Sequence, residues 1–302
     1  MDASATNPVL ALVSGMMPTP AAAAALQTLP NVQCCDLLLC GPASSFRSSL
    51  ALHFALHHAA RAMLPALFLC RQDGLEQHVP LLPHFYDGDD PSLHLLHIKY
   101  VNTPGDLQRF ASCLHLLPAA YSAIVVEDIN GVVRADDRNM LVRTLALLLE
   151  GVRAYRVSSG CGARCPLLVT DSSDEARRPR YIYDRWLPAA VLLSPSTLPT
   201  GPDGCFTLTL ASPSVPSSSA TTGQSAGADA RPSAAPPPDS REAAAASTRS
   251  AFRCWYRAAG GRLVLEAVQG PDGPDAQALP YDGAARGPAR GAAGFQGAMA
   301  ID

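Results

Sequence analysis

Residues 34–56 read CCDLLLCGPASSFRSSLALHFAL, and the order of apolar, small polar and apolar stretches within them carries the fold. Asp36–Cys40 is a short, continuous apolar run, as in a strand buried on both faces. Gly41 opens a small polar loop, and from Ser48 to Met63 the apolar residues recur at helical spacing. A strand, a glycine-led loop and a helix in that order frame a phosphate-binding loop, G-x-x-x-x-G-K-[ST]. Gly41 supplies the first glycine and Ser48 the final hydroxyl, while Phe46 replaces the second glycine and Arg47 the lysine. A Cβ carrying a phenyl ring obstructs the close approach of backbone N–H groups to phosphate. A forked guanidinium is not the compact point charge of an ammonium. The helix N-terminus still favours an anion. Gly41, Ser44, Ser45, Arg47, Ser48 and Ser49 are therefore the candidate residues for ATP with Mg2+, bound weakly or not at all. The plain alternative is an ordinary strand-to-helix turn.

Further along, AIVVEDI at 123–129 is a four-residue apolar run ending in acids. That is the pattern of a strand whose terminal carboxylate holds Mg2+. Glu127 and Asp128 both qualify, in the reverse of the usual Asp-then-Glu order. LLVTD at 167–171 is a third buried run with polar residues at its end, Thr170 and Asp171.

Outward from these landmarks, the pattern predicts strands at 36–40, 66–71, 94–100, 123–127, 166–170, 189–193 and 206–210. It predicts helices at 48–63, 104–116, 136–155 and 181–187. Alternation of buried strands with helices argues for an α/β domain with a mostly parallel sheet. Such sheets bind ligands at the carboxyl ends of their strands.

Five regions follow from composition. Residues 1–33 form an Ala- and Pro-rich N-terminal extension, 34–211 the core, and 212–250 a Ser-, Ala- and Pro-rich linker too poor in large apolar side chains to offset its ordering entropy. At 251–268, two strand patterns flank Gly260-Gly261, a hairpin expected to extend the main sheet. Residues 269–302 form a Gly-, Pro- and Ala-rich tail.

With 302 residues, 48% of them apolar, the chain can build a sizeable core. Its net charge of -3 leaves no global basic field, so any nucleic-acid contact needs a local patch. Lys99 is the single lysine, which closes off every motif that needs that residue elsewhere. Nine irregularly spaced cysteines argue against a disulfide framework and for a reducing compartment. Residues 1–33 lack Lys and Arg, so no targeting leader is expected, and no apolar run has the length of a membrane span.

Several stretches, in order, carry a family resemblance: ALFLCR (66–71), HIKY leading to PGDL (97–107), VEDING (126–131), LALLLE (145–150), DRWLP (184–188) and the aromatic pair Trp255–Tyr256 before a turn. Together with the loop at 41–48 they resemble the RecA-type recombinase paralogues, in particular the SWIM-domain-associated branch, the recombinase-like subunit of Shu complexes. The resemblance covers most of 36–211 and returns at 252–268. It implies a RecA-like fold in which the 167–171 strand inserts beside the phosphate-loop strand, with Thr170 or Asp171 as its polar sensor. It implies a SWIM zinc-finger protein and a recombinase as partners in homologous-recombination repair, a nuclear location, single-stranded DNA binding and weak ATPase activity. It also places the recombinases' catalytic glutamate at or near Gln72, where an amide cannot take a proton from water.

Three lesser constellations complete the reading. His53 and His57 lie i, i+4 on a helix, where core or surface packing is the plainer role than metal binding. Cys161 and Cys165 have the look of half a zinc site without a second half. Arg177, Arg178 and Arg180, followed by Tyr181, Tyr183 and Trp186, read either as a small basic loop for single-stranded DNA or as a solvated loop beside a core aromatic cluster. The functional expectation is a non-catalytic RecA-like adaptor exposing an apolar docking face. The alternatives are a weak recombinase-type ATPase and an inactive scaffold subunit of an Elongator-like assembly.

Overall fold

The computed structural model describes residues 8–27, 36–160, 165–172, 178–196, 204–211 and 250–270. All of the expected linker but Ser250 and most of the expected tail, together with Cys161 and Arg177, lie outside them.

The phosphate-loop strand is β2 (Asp36–Gly41), and it runs through residues 43–45, a single 3-10 turn, into α3 (Arg47–Ala62). Then come β3 (Ala66–Cys70), α4 (Gln72–Gln77), β4 (Leu96–Tyr100), α5 (Pro104–Cys113), β5 (Ala123–Val126), α6 (Ile129–Val132) and α7 (Arg138–Ser158). The core closes with β6 (Leu167–Ser172), α8 (Tyr181–Asp184), β7 (Ala189–Pro195) and β8 (Phe206–Ala211), followed by the hairpin β9 (Ser250–Ala259) and β10 (Arg262–Gln269). Ahead of all these, α1 (Pro8–Val13), β1 (Met17–Pro18) and α2 (Pro20–Leu26) precede the core.

One ten-stranded sheet results, in the order β1-β10-β9-β8-β7-β2-β6-β5-β3-β4. The strands from β7 to β4 are parallel, and β8, β9 and β10 are antiparallel additions. β6 inserts between β2 and β5, pairing Leu38 with Val169 on one side and Val126 with Val169 on the other. That insertion separates the phosphate-loop strand from the acid-tipped strand and gives the chain a RecA-like fold. The crossover from β2 runs to β3 on one side, and the crossover from β6 passes to β7 on the other side of β2, so the carboxyl ends of β2, β5 and β6 meet at a switch point.

The sheet is covered on both faces. Leu37, Leu39 and Phe68 point to the core under α3, and Leu38, Leu67 and Ile124 to the core under α5 and α7. Side-chain alternation on buried strands makes both sets apolar, which is why no polar period marks these runs in the sequence.

Local chemistry sets the ends of the elements. Thr103 and Asp106 form a capping box at α5, and the Asp137 side chain accepts from the Met140 N–H at the start of α7. Asp90 caps a 3-10 turn at Pro91–Leu95, so β4 begins at Leu96 rather than at the expected His94. α8 stops at Asp184, short of the expected Leu187, ahead of Pro188. Six-residue α4 has too little periodicity to be visible in advance. Gly260 and Gly261 both have positive φ, 58° and 74°, as a two-residue hairpin turn of the primed type requires.

The N-terminal segment binds at two places. β1 pairs parallel to β10, and α1 lies on α3. Beneath α1 the Ser14 hydroxyl meets His57 Nδ1 at 2.9 Å, and Gly15 sits directly over the His53 ring. His53 Nε2 is 3.1 Å from the Leu81 carbonyl. Burial holds His53 down at about 4 and His58 at about 3. Among the described residues no helix is long and apolar enough to cross a membrane.

Two outcomes follow. At Gly151, a Cβ would lie 2.0 Å from the Ala111 carbonyl oxygen, so α5 and α7 touch backbone to backbone there. Gly151→Ala is expected to destabilise by roughly 1–3 kcal/mol through overpacking, read as a lower urea midpoint. The histidines give a pH window. Their folded pKa values lie below 6.5, so their contribution is intact above pH 6.5 and is lost as pH falls toward 4. The loss approaches roughly 1.4 kcal/mol per pH unit for each histidine. His58→Phe is expected to flatten stability between pH 6.5 and 5, and an unchanged slope would contradict this.

Candidate functional site

The site stands at the carboxyl ends of β2, β5 and β6, where the loop after Gly41 faces Glu127, Asp128 and Thr170. Arg47 is the first residue of α3 and is only 6% exposed. Its guanidinium donates to the Gly41 carbonyl at 2.8 Å and to Asp128 Oδ1 at 2.8 Å. Asp128 is set for this by a left-handed backbone (φ 48°) and by its N–H, which donates to Thr170 Oγ1 at 2.8 Å. Of the two acids left open by the sequence, Asp128 is therefore the partner of the arginine.

Glu127 is the other kind of acid. Its Oε1 accepts from the Ser48 hydroxyl at 2.6 Å. Burial pushes its pKa up, against the opposing pull of that hydrogen bond. A hydroxyl on the first turn of α3 facing a buried carboxylate at a strand end is a donor set that suits Mg2+. The cation half of a nucleotide site thus fits.

The phosphate half does not fit. Pro42 has no N–H, and the Ser45 N–H is spent on the Pro42 carbonyl at 3.0 Å, as is the Ser45 hydroxyl at 2.6 Å. A phosphate cradle needs loop N–H groups turned inward. Phe46 holds the left-handed conformation (φ 56°) that a glycine would adopt without a Cβ penalty. Its ring packs edge-on against Phe206 of β8 at 6.0 Å, and Phe206 stacks on Tyr256 of β9 at 5.9 Å. The buried Tyr256 hydroxyl then donates to the Ser45 carbonyl at 2.7 Å. The loop is thus held from below by Arg47 and from the side by an aromatic clamp.

The remaining candidates are distributed as follows. Ser44 is exposed on the loop. Ser49 turns away from it, its Oγ accepting from the Leu81 N–H at 3.0 Å. Gln72 is the first residue of α4 and donates to Glu76 at 2.9 Å. Asp171 is buried and takes no part in the loop. It accepts from the Tyr183 hydroxyl and pairs with Arg178 at 3.4 Å, and burial raises its pKa. Arg178 is itself 5% exposed and donates to the Val133 carbonyl, so its guanidinium serves the interior rather than a nucleic-acid surface. The aromatic cluster reading fits Tyr183. Arg180 stays near the surface and pairs with Asp184 at 3.2 Å. Likewise, Arg156 of α7 is committed to Asp36.

Two participants were not singled out as site residues in the sequence. Tyr256 was visible only as half of an aromatic pair in a distant hairpin. Arg71, which donates to the Gly131 carbonyl at 2.7 Å and braces the loop after β5, was visible only as the last residue of the ALFLCR stretch.

A scan against protein-family models and a search of curated proteins both find no match. Among solved structures, a KaiC-like protein from the hyperthermophilic archaeon Pyrococcus horikoshii is similar: it is 12% identical, 76% of this chain and 88% of that chain are covered, and the TM-score is 0.45. The assignment of the fold rests on the strand order, above all on the place of β6.

Tyr256→Phe is expected to cost about 1–2 kcal/mol, since it strands the buried Ser45 carbonyl. Chemical denaturation reads the loss, and amide exchange of the 42–46 loop is expected to quicken with it.

Proposed function

We propose that this chain is a non-catalytic RecA-like adaptor supporting homologous-recombination DNA repair, paired with a SWIM zinc-finger protein in a Shu-type complex that acts on a recombinase. One observation carries the non-catalytic part: the Arg47 guanidinium is bound to Gly41 and Asp128 inside its own loop. A lysine in that place would be free to meet phosphate. Here the charge is neutralised, and releasing it would leave the buried Gly41 carbonyl without its donor. The amide of Gln72 adds to this, because activation of water needs a base. The partner assignment is supported by the ordered motifs that resemble SWIM-associated recombinase paralogues. A nuclear location belongs with that role. Contact with single-stranded DNA belongs with it too, drawing on Arg180 and on Arg177.

One geometric feature favours a second reading, an ATP-binding recombinase-type paralogue with feeble turnover. The Ser48–Glu127 pair keeps a cation-binding arrangement at the strand end.

The two readings differ in what nucleotide does. For the adaptor, calorimetry at millimolar ATP with Mg2+ is expected to show no saturable binding, and phosphate release is expected to stay at the blank. The double variant Phe46→Gly/Arg47→Lys restores the loop pattern and is expected to gain measurable ATP binding. Saturable, Mg2+-dependent turnover by the unaltered chain, abolished by Arg47→Ala, would establish the second reading instead. Co-purification separates the assemblies: recovery of Elongator subunits in place of a SWIM zinc-finger protein would overturn the partner assignment.

A further inference from the structure

On the α3 side of the sheet, away from the locked loop, side chains surround a space rather than each other. An opening of about 380 Å3 lies between α3, strand β3 and its edge neighbour β4, and the segment that leads from α4 back to β4. Its walls include Leu52 of α3, Phe68 of β3, and Leu96 and Tyr100 of β4, with Glu76 and Val79 at the side of α4. The volume falls in the range of pre-formed binding pockets, roughly 300–1,000 Å3.

Two further features say what fits it. Glu76 is the one charged residue in the lining, and its Oε1 is steadied by the Gln72 amide at 2.9 Å. A single negative charge on the wall of an otherwise apolar pocket selects an apolar body with a cation beside it. The apolar surface also continues past the pocket. Val79 is 63% exposed and Phe85 54%, and the Phe85 ring lies 4.8 Å from that of Tyr86. Tyr86 in turn shares a cluster with Leu52 and Leu96 of the pocket wall. Apolar surface extending beyond the opening is more than a small ligand covers, and it is the form of a site that receives a length of chain.

We propose that this pocket docks a segment of a partner protein in which a bulky apolar side chain, leucine or tryptophan, stands next to an arginine or lysine. The apolar group fills the space above Phe68 and Tyr100, and the cation meets Glu76. The inference rests on the adaptor reading for why a partner is needed, and it names where that partner binds.

The test uses the full chain and two fluorescein-labelled, capped hexapeptides, one with a Leu-Trp-Arg core and one with a Leu-Trp-Glu core, read by anisotropy. The basic peptide is expected to bind more tightly. Val79→Arg is expected to weaken it by about tenfold or more, the usual cost of blocking an anchor pocket. Glu76→Lys is expected to reverse the preference between the two peptides. Both changes lie at exposed positions, and circular dichroism checks that each variant folds. Failure of both peptides to bind, equal binding of the two, or indifference to Val79→Arg would overturn the proposal. So would tryptamine displacing the peptide at equal concentration, which would make the pocket a small-molecule site. The variants leave 41–48 untouched, so the two readings fail separately. ATP turnover with peptide binding intact sinks the adaptor alone, and absent peptide binding in a chain that ignores ATP sinks the pocket alone.

Discussion

The guanidinium of Arg47 sits almost fully out of water between a main-chain carbonyl and the carboxylate of Asp128. A buried cation is tolerable only where its charge is met, and here Nη1 and Nη2 are met while Nε is buried without a hydrogen-bond partner. That requirement organises its neighbours. Asp128 adopts a left-handed backbone to aim at the arginine, and Thr170 accepts its N–H to hold it there. β6 must insert beside β2 to bring Thr170 within reach, so the sheet order and the ion pair support one another. What was a ligand-binding position in the motif has become an internal brace.

The same loop is where the distant end of the chain attaches. Phe46, Phe206 and Tyr256 form a stack reaching from the loop through β8 to β9, and Tyr256 closes it with a hydrogen bond to Ser45. Strain at Phe46 is the counterpart of that packing. A non-glycine residue in the left-handed region costs on the order of 1 kcal/mol, and the ring contacts offset it. The aromatic ring that spoils the phosphate cradle thus anchors the antiparallel extension of the sheet. Both effects push the same way: the loop is shaped by contacts within the protein rather than by the form a triphosphate would require. Ser48 and Glu127 stand apart from this, retaining a geometry that a cation would accept.

Much of the architecture was legible beforehand because its signals are local. Short apolar runs marked the six parallel strands, helical spacing marked the long helices, and the pair Gly260-Gly261 marked the hairpin turn, since each depends only on near neighbours in sequence. The loop at 41–48 was legible for the same reason. Less visible were the 3-10 turn that shortens β4, six-residue α4, and the fate of Arg178. From sequence, an arginine among arginines reads as surface charge. Only the meeting of Asp171, Tyr183 and the Val133 carbonyl around it shows that it is interior.

The sequence alone determined that this chain makes a strand–loop–helix α/β domain and that its loop lacks the second glycine and the lysine of a working phosphate site, because identity and spacing are written along one stretch of chain. Only tertiary structure decided which acid neutralises Arg47, that Ser48 faces Glu127, and that a tyrosine more than two hundred positions away pins the loop. Those contacts join residues far apart in the chain, and their partners are chosen by strand order and burial, which no local pattern encodes.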